Sequence, residues 1–178
     1  MMKTFSQGEM LAEWRKALGL HPLNTDATIE VFESLDTDSV LLRAMRAWYL
    51  NLLATAPPAQ LPVSNVASRC SLKPRGQLSA IVLPADAVRV VSVKLDSWQR
   101  PAFPVSGEAL EKRLSRMASP YGQPGDCDPL LFIDSDAPLI APADGRQLEQ
   151  VMAVTDPGAD LYILDPHLLS TIPTDILP

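Results

Sequence analysis

Proline interrupts this chain so often that only short elements can form between its stops. Seventeen prolines fall within 178 residues. Each fixes one backbone torsion and removes an amide donor, so long helices and wide central strands are both disfavoured. Such a chain must bury apolar surface through many small pieces, and 47% of its residues are hydrophobic against 20% charged. That balance belongs to a folded globular protein: one ordinary domain, or one small domain with a helical extension.

Apolar spacing places helices in the first third. In QGEMLAEWRKALG, residues 7–19, Met10, Leu11, Trp14 and Leu18 recur at three- and four-residue intervals, and Gly19 suits the C-terminal cap. TDATIEVFESL (25–35) favours a helix capped by Thr25 or Asp26, with Ile29, Phe32 and Val31 inward. The strongest helix covers 37–55, where Leu41, Ala44, Met45, Trp48 and Leu52 share a face and Arg43, Arg46 and Asn51 lie elsewhere. Asp36 or Thr37 can accept first-turn amides, and Pro57-Pro58 ends the element. An aromatic-rich stripe at this spacing is a packing face. Whether it packs within the chain or against a neighbouring subunit is open, which makes Leu41, Met45, Trp48 and Leu52 candidate interface residues.

Residues 56–80 read as a connector, locally basic through Arg69, Lys73 and Arg75, that hides a short strand or serves as an extended arm. Beyond it the pattern becomes strand-like. VRVVSVKL is valine-rich and flanked by breakers; SGEALEKRLSRMA (106–118) predicts a helix with Ser106 as cap and Leu110, Leu114 and Met117 on one side. PYGQPGDCDP is turn chemistry. LLFI and LIA form a hairpin around DSDAP, QLEQVMAV is a strand ambiguous with helix, ADLYIL is a strand, and HLLSTIPTDILP is a strap on the body. The expected fold is α+β: an N-terminal helical segment (1–55), a connector arm (56–80), and a β-rich part (81–178) holding a small mixed, mainly antiparallel sheet with one helix.

The formal charge of −6 is uneven. Residues 1–80 carry 8 cations against 7 acids, and residues 81–178 carry 7 against 14. Within 126–165 only Arg146 faces eight aspartates and Glu149. A phosphate-reading surface needs the opposite sign, which argues against sequence-specific nucleic-acid binding. Cys70 and Cys127 lie in unrelated contexts and read as reduced thiols, although one disulfide is open. MMKTFSQGEMLAEW lacks the apolar run of a signal peptide, and no window approaches a membrane span, so a cytoplasmic protein is expected.

The search for chemistry returns little. No phosphate loop, nucleophile elbow or HExxH is present, and GQPGD at 122–126 has proline inside it. His21 and His167 both adjoin proline, and nothing brings His167 to Cys127. DCD (126–128) and DSD (134–136) have the spacing hard cations favour. A calcium loop counted from Asp126 would need glycine and glutamate where Leu131 and Ala137 stand, so these aspartates read as turn residues. No cofactor or metal is implied.

One stretch is more specific. In IVLPADAVRVVSVKLDSWQRPA (81–102), Leu83-Pro84 opens a strand, Asp86 can cap the following turn, and Arg89 is a partner three residues on. Trp98 would bury its ring at the sheet edge while its indole N–H finds an acceptor, and Arg100 precedes a Pro101 that ends pairing. Together with the helix at 37–55, ATAPPAQLP, and PYGQPGDCDPLLFI, this pattern resembles the head-to-tail connector or ring (adaptor) proteins of short-tailed phages and prophages of gut Bacteroidales. The likeness spans about residues 37–135. It departs where Ala87-Val88 replace bulky residues and where GDCDP is acidic instead of basic, and both departures bear on partner contacts.

The resemblance implies a structural virion protein, present in the bacterial cytoplasm and then in the virion. It would self-assemble into a homo-oligomeric ring against portal or tail proteins, with its acidic half lining a DNA channel. Leu83, Pro84, Asp86, Arg89, Trp98, Arg100 and Pro101 carry the likeness. The competing expectation is a small cytosolic α+β enzyme or ligand-binding domain, with Asp86, Arg89, Asp126 and Cys127 as first candidates.

Overall fold

The computed structural model describes residues 1–20, 37–135 and 137–176. The expected helix over 25–35, the caps at Asp36 and Thr37, His21 and Asp136 lie outside the described residues or side chains. The fold is α+β. It divides into two compact units, Met1–Pro62 with Asp156–Pro178, and Val63–Thr155.

Unit 1 opens with strand β1 (Lys3–Ser6) running directly into helix α1 (Gln7–Ala17). The start is fixed by a capping box: the Ser6 hydroxyl accepts from the Glu9 amide, and the Glu9 carboxylate accepts from the Ser6 amide at 2.8 Å. The helix stops at Gly19, whose φ of 70° favours glycine. There the Gly19 amide donates to Lys16 O and the Leu20 amide to Arg15 O, which closes a Schellman motif.

Helix α2 (Thr37–Thr55) lays its apolar face inside unit 1. Leu41, Met45, Trp48 and Leu52 are all buried, together with Tyr49 and Leu53. The candidate interface on this helix is therefore core: the stripe packs within its own chain. Trp14 meets Trp48 edge to face with centroids 5.7 Å apart, and Tyr49 meets Tyr162 at 4.9 Å. Buried large side chains of this kind contribute about 1.5–3 kcal/mol each. Arg46 is half-buried and forks onto Asp156, with a further bond to Gly158 O.

Strand β1 pairs antiparallel with β9 (Leu161–Leu164), Phe5 opposite Tyr162. The chain then makes a 3-10 turn over Pro166–Thr171 that seats Leu168 and Ile172, so the expected strap lies on the body. This return of the tail to the N-terminus is why the units do not follow the expected 1–55, 56–80 and 81–178 division.

Unit 2 holds two antiparallel sheets. One has the order β2 (Val63–Asn65), β8 (Leu148–Thr155), β5 (Ala87–Leu95); the other runs β3 (Ser71–Arg75), β4 (Leu78–Val82), β7 (Ala137–Ala141), β6 (Leu130–Asp134). The connector thus holds short strands, β2, β3 and the start of β4, the first of the two forms expected of it. Gly76 at φ 65° takes the first position of the two-residue turn between β3 and β4, where a left-handed backbone is required. QLEQVMAV resolves as strand β8, paired on both sides. Ile81, Ile140 and Leu131 from one sheet meet Val90, Val93, Val151 and Ala153 from the other in a shared core.

Helix α3 (Gly107–Arg116) is the 106–118 prediction with two corrections. Ser106 is extended and caps nothing with its side chain, and Leu114 stays 39% exposed. Leu110 and Met117 supply the apolar contact of this segment with Leu130, Phe132 and Leu139. No helix among the described residues is long and apolar enough to cross a membrane.

Candidate functional site

The two stretches singled out in the sequence, 83–101 and 120–133, converge in unit 2. Strand β5 ends at Leu95, and Trp98 turns inward as the anchor of the loop that follows. Its ring is buried among Val93, Leu95 and Ala143, and its indole N–H donates to Pro142 O at 2.9 Å. Both expectations for Trp98 hold.

Around that anchor, arginines from three elements fix one acidic turn. Gly125 and Asp128 bridge to close it, and the Gln99 amide donates to Asp126 O at 2.9 Å. Arg146 reaches the Asp126 carboxylate at 2.9 Å and the Ser97 hydroxyl at 2.6 Å. Arg100 bonds Asp128 at 2.8 Å, and Arg113 from α3 bonds its other oxygen at 3.1 Å and its carbonyl at 2.9 Å. Asp126 and Asp128 therefore face guanidinium groups. Among the described residues no group of three His, Cys, Asp or Glu is arranged to hold a metal ion.

The turn before it is fixed by contact distance. Gly122 sits so close to the end of α3 that a Cβ there would lie 2.0 Å from Arg116 O. Gln123 bonds back to Met117 O. Arg113, Arg116, Tyr121 and Gln123 border a shallow recess of about 170 Å³, and the Tyr121 ring stands fully in solvent.

At the other end of the stretch, Pro84 O accepts from the Ala87 amide in the turn that admits β5. Asp86 meets Arg69 through both oxygens, at 2.7 and 3.0 Å. The carboxylate expected to meet Arg89 is thus held by a residue of the connector. The Arg69 guanidinium keeps the Asp86 carboxyl below the usual carboxylate range. A carboxylate so engaged is a poor general base. Burial pushes the Cys70 thiol up, away from the reactive thiolate, while Cys127 is exposed and free. Asp86 and Asp126 occupy separate ion pairs, and Cys127 and His167 belong to different units.

Sequence reasoning found Trp98, Arg100 and the acidic turn but not their partners. Arg113 was read only as part of a helix, and Arg146 only as a lone cation among acids. The 3.6-residue period of α3, which sets Arg113 three residues after Leu110 beside the packed face, was the available signal for the first.

No family model matches this sequence, and no curated protein matches it.

Proposed function

We propose that this chain is a structural assembly protein of the connector or ring-adaptor kind, acting by self-association into a closed homo-oligomer that presents surfaces to portal or tail partners. One observation carries the reading: Trp98 and Arg100 of the phage-like pattern, with Arg113 and Arg146, pin loops to the two packed sheets and leave aromatic rings outside. Trp98 anchors from within, three arginines clamp the 125–129 turn, and Phe103 and Tyr121 on the clamped stretches are 61% and 101% exposed. Aromatic rings on ordered backbone are what contact hot spots use, since little freedom remains to be lost on binding.

The contact residues assigned by this reading are Phe103 and Tyr121, in place of the α2 stripe.

Sedimentation velocity and native mass measurement on the full chain test the proposal. A discrete closed oligomer is expected, weakened about tenfold or more by Tyr121→Ser or Phe103→Ser. A monomer at the highest attainable concentration, alone and with portal protein added, overturns it.

A further inference from the structure

The end of helix α3 carries more guanidinium charge than its surroundings use. Among the described residues that line the recess beside it, Asp128 is the one carboxylate. Arg100 takes one of its oxygens at 2.8 Å and Arg113 the other at 3.1 Å, so a single negative charge answers two positive ones. Arg116 also lines the recess, one turn after Arg113, and meets no acid among the described residues. Three guanidinium groups against one carboxylate leave a local +2 in a chain of −6.

Helix capping does not consume this excess. The last carbonyls of a helix attract cations, but here other donors answer them. The Met117 amide serves Arg113 O and Leu114 O, the Ser119 amide serves Arg116 O, and the Gln123 side chain serves Met117 O. Nor does Arg113 spend its whole fork. It bonds through Nη2, to the Asp128 carboxylate and to the carbonyls of Asp128 and Pro129, which leaves Nε and Nη1 as donors.

The recess is also held in shape. Gly122 lies against Arg116 O too closely for any side chain, and its amide donates to Ser119 O at 3.0 Å. On the far wall the Asp128 amide donates to Gly125 O at 3.0 Å. The volume of about 170 Å³ is the room of a few waters, enough for a tetrahedral oxyanion and too little for a ring system. Tyr121 lines the recess as well and keeps its whole ring in solvent.

We propose that this recess binds a nucleoside monophosphate, with the phosphate on Arg113 and Arg116 and the base on the Tyr121 ring. Guanidinium forks bond oxyanions two-pronged, and a phosphate monoester carries about −1.5 to −2 at neutral pH, which matches the surplus where a carboxylate would balance half of it. An exposed ring beside the phosphate gives any base a face to stack on. A free nucleotide and the 5′-phosphorylated end of a strand present the same chemistry. The site lies on a single chain and goes beyond the self-association reading, with which it shares Tyr121.

Calorimetric titration of the full chain with adenosine monophosphate, ribose 5-phosphate and adenosine tests the proposal. The monophosphate is expected to bind about tenfold more tightly than ribose 5-phosphate, which lacks the base, and adenosine is expected not to bind. Arg116→Gln should weaken the monophosphate by about tenfold or more and leave the oligomer unchanged, and Arg116→Lys should weaken it less. Tyr121→Ser should reduce the monophosphate to the level of ribose 5-phosphate. A trinucleotide carrying a 5′ phosphate supports a strand end as the source if it matches the monophosphate, and a free nucleotide if it binds more weakly. The proposal is overturned if the monophosphate does not bind, if adenosine binds equally well, or if Arg116→Gln binds like the parent. A chain that stays monomeric and binds in the expected order removes the self-association reading and leaves this site standing.

Discussion

The hydroxyl of Tyr49 forms two hydrogen bonds with the backbone of a single residue, Ile163: it accepts from the amide at 3.0 Å and donates to the carbonyl at 3.0 Å. A neighbouring strand would make the same two bonds. One phenol on α2 thereby takes the place of a strand at Ile163, on the side of β9 away from β1. The helix and the two-stranded sheet of unit 1 are locked in register by that side chain.

Tyr49→Phe removes both bonds to the part-buried Ile163 backbone, at a cost of about 1 kcal/mol or somewhat more. Urea unfolding should show a lower midpoint with an unchanged slope. Alkaline pH reports on the same group. Burial pushes the Tyr49 phenol up to about 12, whereas tyrosine in an unfolded chain ionises near ~10. The folded form holds the proton more tightly, so this contribution is complete below pH ~10 and is lost as the pH rises toward 12. The loss should be smaller in Tyr49→Phe, with a remainder from Tyr162, which burial also raises.

Gly122→Ala should disturb the loop at the end of α3. The added methyl would lie 2.0 Å from a backbone oxygen that cannot rotate away. Overpacking of this kind costs about 1–3 kcal/mol, and Tm should fall by several degrees. Gly125→Ala is the control, because a Cβ there meets nothing within 4 Å and its Tm should barely move.

Asp128→Asn should separate stability from local order. The Asp128 side chain is 66% exposed, and exposed ion pairs contribute about 0.2–1 kcal/mol, so the global unfolding midpoint should change little. The same change removes the ionic contacts of Arg100 and Arg113 with the turn and leaves Arg113 only its bonds to backbone carbonyls. Faster amide exchange confined to 97–101 and 120–129 is expected, with the Leu130–Asp134 strand unaffected.

How far the sequence could be read depended on whether the governing interaction was local. Helices α1 and α2, strand β5, the β6–β7 hairpin and the burial of Trp98 all follow from period, caps and turn residues within a few positions. The Ser6–Glu9 capping box was equally local, a serine followed three residues later by glutamate, and went unread. The connector was expected to hide a short strand, and it does, but the partners were not legible: Asn65 lies opposite Met152, and Arg69 meets Asp86. The α2 stripe was legible as apolar, but its destination was not, since β9 and the Pro166–Thr171 turn reach the same unit from more than a hundred residues away. At the candidate site the anchor was visible and the clamp was not, because ion pairs between distant loops leave no periodic trace.

The pairing of β1 with β9 has a consequence for biosynthesis. A ribosome releases Phe5 early, yet Tyr162, its opposite number, emerges only after all of Val63–Thr155. The two-sheet unit is one uninterrupted segment, whereas α1 and α2 find their sheet partner only beyond it. A chain cut after Thr155 therefore holds all of the Val63–Thr155 unit, flanked by an N-terminal fragment whose core faces, Trp14 and Tyr49 among them, lack their β9 partner and need shielding.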